Sequence, residues 1–206
     1  MNISDARWYL CIGLVDDLLT RVEHAVRGGI DIVQLRDKTD NLAALHRQGR
    51  DLRALCRDLD VPFIVNDRPE LAVDLDADGV HVGQDDVSIE RCRLLLGSAA
   101  IVGLSTHAPS EFTAGLDTSA TYLSAGPIEA TPTKPGREGT GRQYATWAQA
   151  ESDRPVFVTG GVNERNVGEL VRAGLRHFVV VRAITESPDP QRSARALVDA
   201  YEAALA

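Results

Sequence analysis

Trp8-Tyr9-Leu10-Cys11-Ile12-Gly13-Leu14-Val15 followed by Asp16-Asp17-Leu18-Leu19 is an apolar run that passes straight into a helical pattern. The turn Val15-Asp16-Asp17-Leu18 contains no glycine, whereas an open doubly wound sheet that binds nucleotides makes a glycine-rich turn after its first strand. That turn therefore separates the two architectures open to a repeating strand-helix chain. Working outward, apolar runs bounded by turn residues fall at 8–15, 30–35, 62–65, 79–82, 101–104, 121–125, 156–159 and 178–181, which gives eight strands. Several are continuously apolar, as parallel strands covered on both faces must be. Leu42, Leu45, Gly49, Leu52, Leu55 and Cys56 recur at helical spacing and form one buried stripe. Other helical patterns stop at Gly28-Gly29, Gly97 and Gly174, consistent with left-handed caps. The count and the glycine-free first turn predict an α/β fold, a closed (β/α)8 barrel, with residues 1–206 as one domain.

Composition narrows the function. A length of 206 residues suits one barrel that buries about 70% of the surface its unfolded chain exposes. The net charge of −8 opposes a general nucleic-acid surface, so any cationic cluster is a local pocket for a small anion. Cys11, Cys56 and Cys92 lack metal-finger or CxxC spacing and read as reduced thiols of a cytoplasmic protein. No basic, apolar and cleavage-site series opens the chain, and no run is long enough to span a bilayer, so neither secretion nor a membrane partner is expected. The pattern implies no particular oligomeric state.

In a (β/α)8 barrel the site is built at the C-terminal ends of the strands, and unusual polar residues fall there. Gln34, Arg36 and Lys38 follow the second strand at two-residue steps, so strand alternation points them the same way and offers a multiply charged oxyanion a fork, an ammonium and an amide. Asn66 and Asp67 follow the third strand; Gln84, Asp85 and Asp86 the fourth; Ser105 and His107 the fifth; Thr131, Thr133 and Lys134 the sixth. Asp67 and Asp86 on neighbouring strands suit Mg²⁺ held against a diphosphate. His81 and His107 lack zinc spacing, and His81 reads as a hydrogen-bonded packing residue. Thr159-Gly160-Gly161-Val162, with Val181-Arg182-Ala183 after the last strand, stands where many barrels bind a monophosphate, although Gly160-Gly161 also fits a plain tight turn. Residues 129–142 read as one long loop and a candidate lid.

The motifs Gln34-Leu35-Arg36-Asp37-Lys38, Val65-Asn66-Asp67-Arg68, Gly79-Val80-His81-Val82-Gly83-Gln84-Asp85-Asp86, Ser105-Thr106-His107, Gly126-Pro127 with Thr131-Pro132-Thr133-Lys134, and Thr159-Gly160-Gly161-Val162 resemble, in this order and spacing, the thiamine-phosphate synthase family. That resemblance implies a transferase of thiamine biosynthesis, a (β/α)8 barrel that joins hydroxymethylpyrimidine diphosphate to a thiazole monophosphate and releases pyrophosphate with Mg²⁺. It further implies that Gln34, Arg36, Lys38, Asn66, Ser105 and Lys134 hold the pyrimidine diphosphate, with Arg36, Lys38, Ser105 and Lys134 acting on the leaving group. Asp67 and Asp86 would hold the metal, and Thr131, Thr133, Gly161, Val181 and Arg182 would surround the thiazole phosphate. Arg176-His177-Phe178 and Arg182 depart from the family pattern, and Arg182 either adds a cation to the phosphate site or points outward. The alternative is a thiazole tautomerase of the same lineage, with His107 as acid/base; Lys38, Asp67, Asp86 and Lys134 together argue against it.

Overall fold

Alternation along each short strand sets the architecture, because one row of side chains must face the barrel axis and the other the helices. In the computed structural model, which describes residues 3–38, 41–131 and 138–206, the strands are β1 (Trp8–Ile12), β2 (Ile32–Leu35), β3 (Phe63–Asn66), β4 (Gly79–Val82), β5 (Ile101–Thr106), β6 (Tyr122–Ala125), β7 (Val156–Val158) and β8 (His177–Val180). All neighbours pair parallel, and β8 pairs with β1 to close the barrel. Between them lie α1 (Leu18–Gly28), α2 (Leu42–Asp58), α3 (Pro69–Asp74), α4 (Ile89–Leu96), α5 (Pro109–Leu116), α6 (Gly141–Ala150) and α7 (Val167–Arg172). A short α8 (Arg182–Thr185) and a long α9 (Pro190–Leu205) complete the chain. The expected (β/α)8 barrel is the observed fold.

The two side-chain rows form two cores. Outward residues such as Leu10, Val33, Val65, Val80, Val102, Leu123 and Phe178 pack with the helices, while Tyr9, Ile32, Ile64, Tyr122 and Phe157 fill the barrel with Ile3 and Ala6. Each such side chain contributes about 1.5–3 kcal/mol when fully buried. The α2 stripe buries Leu45, Gly49, Leu52 and Cys56 but leaves Leu42 exposed, since Leu42 opens the helix beside its N-cap, Asn41, whose side chain accepts from Ala44 N–H (3.0 Å).

The bottom of the barrel is shut. A 3-10 turn (Ile3–Asp5) lies across it, the Asp31 carboxylate accepts from the N–H groups of Arg7 (2.7 Å) and Trp8 (2.8 Å), and buried His177 bonds through Nδ1 to Ala6 O (2.6 Å). Burial pushes the His177 imidazole below the usual histidine range, with the positive charges of Arg7 and Arg176 adding to it. At the strand C-termini, by contrast, the described residues surround a cavity.

Strand limits differ from the sequence reading by up to three residues. The first strand ends at Ile12 rather than 15 because the next available donor, Leu14 N–H, goes to the Asp37 carboxylate (2.8 Å) instead of the sheet. The fifth runs on to Thr106, whose hydroxyl donates to Ser124 O (2.9 Å). No helix among the described residues is long and apolar enough to cross a membrane.

Candidate active site

The inward residues at the upper ends of the strands, Cys11, Gln34, Asn66, His81, Ser105, Ser124 and Thr159, ring a cavity of about 330 Å³, a size suited to a small organic ligand. Of the residues expected from sequence, Gln34, Arg36, Asn66, Ser105, Thr131, Gly161, Val181 and Arg182 line it. Arg182 therefore faces the site, with Glu186 one turn later on the same wall. Lys38 is exposed and does not line the cavity. The strand ends at Leu35, and Asp37 turns back toward Leu14, so alternation no longer aims residue 38. Thr133 and Lys134 lie outside the described residues.

Asp67 and Asp86 meet beside the rim. The Asp67 side chain lies within hydrogen-bonding reach of both Asp86 and Asn66, and its carboxyl is pushed above the usual carboxylate range. Burial is the first cause and the neighbouring Asp86 charge the second, opposed by the Arg36 guanidinium. Asp67 adopts φ 61°, an unusual backbone for a side-chain-bearing residue. Asp86 Oδ2 accepts Gly83 N–H (2.8 Å), which fixes its carboxylate. Two carboxylates brought together, with the Asp86 charge making Asp67 costlier to ionise, fit a hard divalent cation that would relieve the repulsion. No group of three or more His, Cys, Asp or Glu that could hold a metal occurs among the described residues, so phosphate and water oxygens would complete the shell of such an ion.

A second anion-receiving surface lies on the β7 and β8 side. Gly160 (φ 95°) and Gly161 (φ 79°) take left-handed backbone. The Gly161 carbonyl accepts from Asn163 Nδ2 (2.7 Å) and Asn166 Nδ2 (2.8 Å); the N–H of the same peptide, on Val162, consequently points the other way. The N–H groups of Gly160, Gly161 and Val162 take no protein acceptor among the described residues. Backbone donors of this kind beside Arg182 have the chemistry that suits a small oxyanion. The Glu129 carboxylate lies over Gly161.

Several cavity residues escaped the sequence reading: Tyr9, Tyr122, Ser124 and Glu186. His81 matches its packing role in part, since it stacks on Tyr122, yet it also borders the cavity and bonds to Ser105 Oγ (2.8 Å). Gln84 donates to Ser105 O (2.6 Å) and holds that strand end. His107 does not line the cavity; its Nδ1 bonds to Gly126 O, and its N–H donates to Glu111 (2.7 Å).

Fold and cavity together place the chain among (β/α)8 barrels whose site lies at the strand C-termini. The thiamine monophosphate synthase family model matches residues 8–184, and the chain belongs to that family. It is 45% identical over 180 residues to a thiamine-phosphate synthase of Thermus thermophilus, covering 87% of this chain and 86% of the relative. A thiamine-phosphate synthase of Natronomonas pharaonis is 42% identical over 184 residues, 88% of this chain and 86% of that protein. Among solved structures, the thiamine phosphate pyrophosphorylase from Pyrococcus furiosus superimposes with a TM-score of 0.87 at 27% identity, covering 98% of both chains.

Proposed function

We infer that this chain is a thiamine-phosphate synthase, an alkyl-group transferase. The observation that carries the reading is the convergence of Gln34, Arg36, Asn66 and Ser105 on one wall of the cavity, with the paired Asp67 and Asp86 carboxylates beside Arg36 and the glycine-lined phosphate surface opposite. The substrates would be hydroxymethylpyrimidine diphosphate on the first surface and thiazole monophosphate on the second. His107 outside the cavity removes the acid/base group that the tautomerase alternative would use. The three buried thiols, none in a disulfide, accord with a reducing cytoplasmic setting.

The reaction asks for ionisation of the methylene–oxygen bond of the pyrimidine, then capture of the cation by the thiazole nitrogen. Arg36, with Lys38 and Lys134 from the flanking loops, would stabilise the charge that accumulates on pyrophosphate as the bond breaks, more than it stabilises the bound substrate. Gln34, Asn66 and Ser105 would fix the diphosphate substrate. Thr131, Thr133, Gly161, Val181 and Arg182 would hold the thiazole phosphate so that its ring nitrogen lies in line. Asp67 and Asp86 would hold Mg²⁺, which supplies neutralising charge to phosphate oxygens when bound. No protein nucleophile is needed.

The test is incubation of the purified protein with both phosphorylated heterocycles, with and without Mg²⁺, following pyrophosphate. Asp86→Ala and Lys134→Ala are each expected to lower turnover by about 10²-fold or more with an unchanged circular dichroism spectrum. Metal-independent pyrophosphate release would remove the carboxylate pair from the assignment, and proton exchange on the thiazole without coupling would replace the synthase with the tautomerase.

A further inference from the structure

A continuous line of hydrogen bonds crosses the barrel beneath the cavity. Cys11 Sγ donates to Gln34 Oε1 (3.2 Å), and Gln34 Nε2 donates to Tyr9 Oη (2.9 Å). The Tyr9 and Tyr122 hydroxyls lie 2.9 Å apart, Tyr122 Oη meets His81 Nδ1 at 2.8 Å, and His81 Nε2 meets Ser105 Oγ at 2.8 Å. Tyr9 is 1% and Tyr122 0% exposed, so water does not intervene in the middle of the line. Gln34 and Ser105, which bracket the two tyrosines and His81, are both in the cavity wall.

A hydroxyl or a neutral imidazole in such a line gives one proton and takes one, so the direction of any single bond fixes all the others. With Gln34 Nε2 on Tyr9, Tyr9 donates to Tyr122 and Tyr122 donates to His81 Nδ1. His81 then carries its proton on Nε2 and donates to Ser105 Oγ, which leaves the Ser105 hydrogen for whatever occupies the cavity. The opposite order needs the Gln34 amide turned over so that Oε1 accepts from Tyr9. Ser105 then spends its hydrogen on His81 Nε2 and offers the cavity only lone pairs. Burial raises the ionisation of both tyrosines far above the ordinary phenol range, so neither interrupts the relay as a phenolate.

We propose that Tyr9, Tyr122 and His81 are positioning residues that tie the hydrogen-bond direction of Ser105 to the orientation of the Gln34 amide, and that they hold Ser105 as a donor to the ligand. The site thereby selects a ligand that places a hydrogen-bond acceptor at Ser105, and a group that can only donate there meets an opposing proton. Because the line lies in the protein alone, the inference stands apart from the identity of the substrates.

The test is the tautomer of His81, read at pH 8 from the 15N resonances of its ring in the ligand-free protein. The expected state is neutral with the proton on Nε2. Gln34→Glu puts a carboxylate, which only accepts, on Tyr9; the relay reverses, and the His81 proton moves to Nδ1. In the Tyr122→Phe background the line is cut, so adding Gln34→Glu leaves the His81 tautomer where Tyr122→Phe alone sets it. The proposal is overturned by an Nδ1-protonated or imidazolium His81 in the unsubstituted protein, by no switch in a folded Gln34→Glu protein, or by a switch that persists without the Tyr122 hydroxyl. Should Gln34→Glu fail to fold, the tautomer in the unsubstituted protein still decides.

Discussion

Gly160 and Gly161 share left-handed backbone, yet the space around them predicts different responses to the same substitution. A methyl added at either position incurs about 1–2 kcal/mol of backbone strain. At Gly161 the new carbon would lie 2.5 Å from Glu129 Oε2 and 2.9 Å from its Cδ, the far end of a flexible side chain that can swing toward solvent. At Gly160 it would collide with Pro127, 2.6 Å from Cα, and lie 2.8 Å from Ile128 N. That backbone is pinned, since Ile128 N–H donates to Thr159 O (2.8 Å) and Pro127 O accepts from Thr140 N–H (2.7 Å). Overpacking of this kind adds about 1–3 kcal/mol. Gly160→Ala should therefore cost about 2–5 kcal/mol and Gly161→Ala about 1–2. For a chain of this size 1 kcal/mol moves Tm by about 2–4 °C, which puts Gly160→Ala roughly 4–20 °C down and Gly161→Ala roughly 2–8 °C down. Urea and thermal unfolding of both variants give the comparison, and inorganic phosphate titration reports the surface that the pair builds. Equal losses, or a larger loss at Gly161, would refute the assignment of rigid Pro127 and yielding Glu129.

Two further outcomes follow from groups away from the mouth. His177 is held neutral in the fold, with its pKa below the unfolded value of about 6.5. The stability it contributes is complete above that value and is lost as pH falls from there through the lower native pKa. His177→Gln should thus flatten the decline in urea midpoint between pH 7.5 and 5, while the carboxylates common to both proteins contribute equally; parallel curves would exclude the role. Arg154 donates to four carbonyls at the end of α5: Thr118 (2.9 Å), Ala120 (2.7 Å), Gly115 (3.1 Å) and Leu116 (2.7 Å). Arg154→Met keeps the stem but strips these bonds, and a loss of about 3 kcal/mol is expected by urea unfolding, since charged donors are worth about 1.5–3 kcal/mol each and the freed carbonyls regain water. A loss below about 1 kcal/mol would show the clamp to be dispensable.

Much of the barrel could be read before any coordinate, because short apolar strands and glycine-terminated helices are local signals. Gln34 and Arg36 were legible for the same reason: one belongs to a regular strand and the other directly follows it. Lys38 was less so. Its expected direction assumed that the strand persists, and Asp37 ends that regularity by reaching back to Leu14. The crowding of Asp67 against Asp86 was legible as two acids on adjacent strands, but the left-handed backbone at Asp67 has no local signature. Tyr9 and Tyr122 were hidden for another reason. A buried phenol in an apolar run looks like filler, and the clue that these rings point inward lies only in their two-residue offset from Cys11 and Ser124. Arg154 sits in an unremarkable Ser-Asp-Arg-Pro turn, and the helix end it clamps is 38 residues away in sequence.

The sealed floor of the barrel has a consequence for traffic. With Ile3 and Ala6 packed into the base and His177 bolted to Ala6, the described residues give no way in from below, and a visitor to the chamber comes and goes at the opposite end. Two reactants cannot then arrive in arbitrary sequence if one of them has to rest on the innermost shelf.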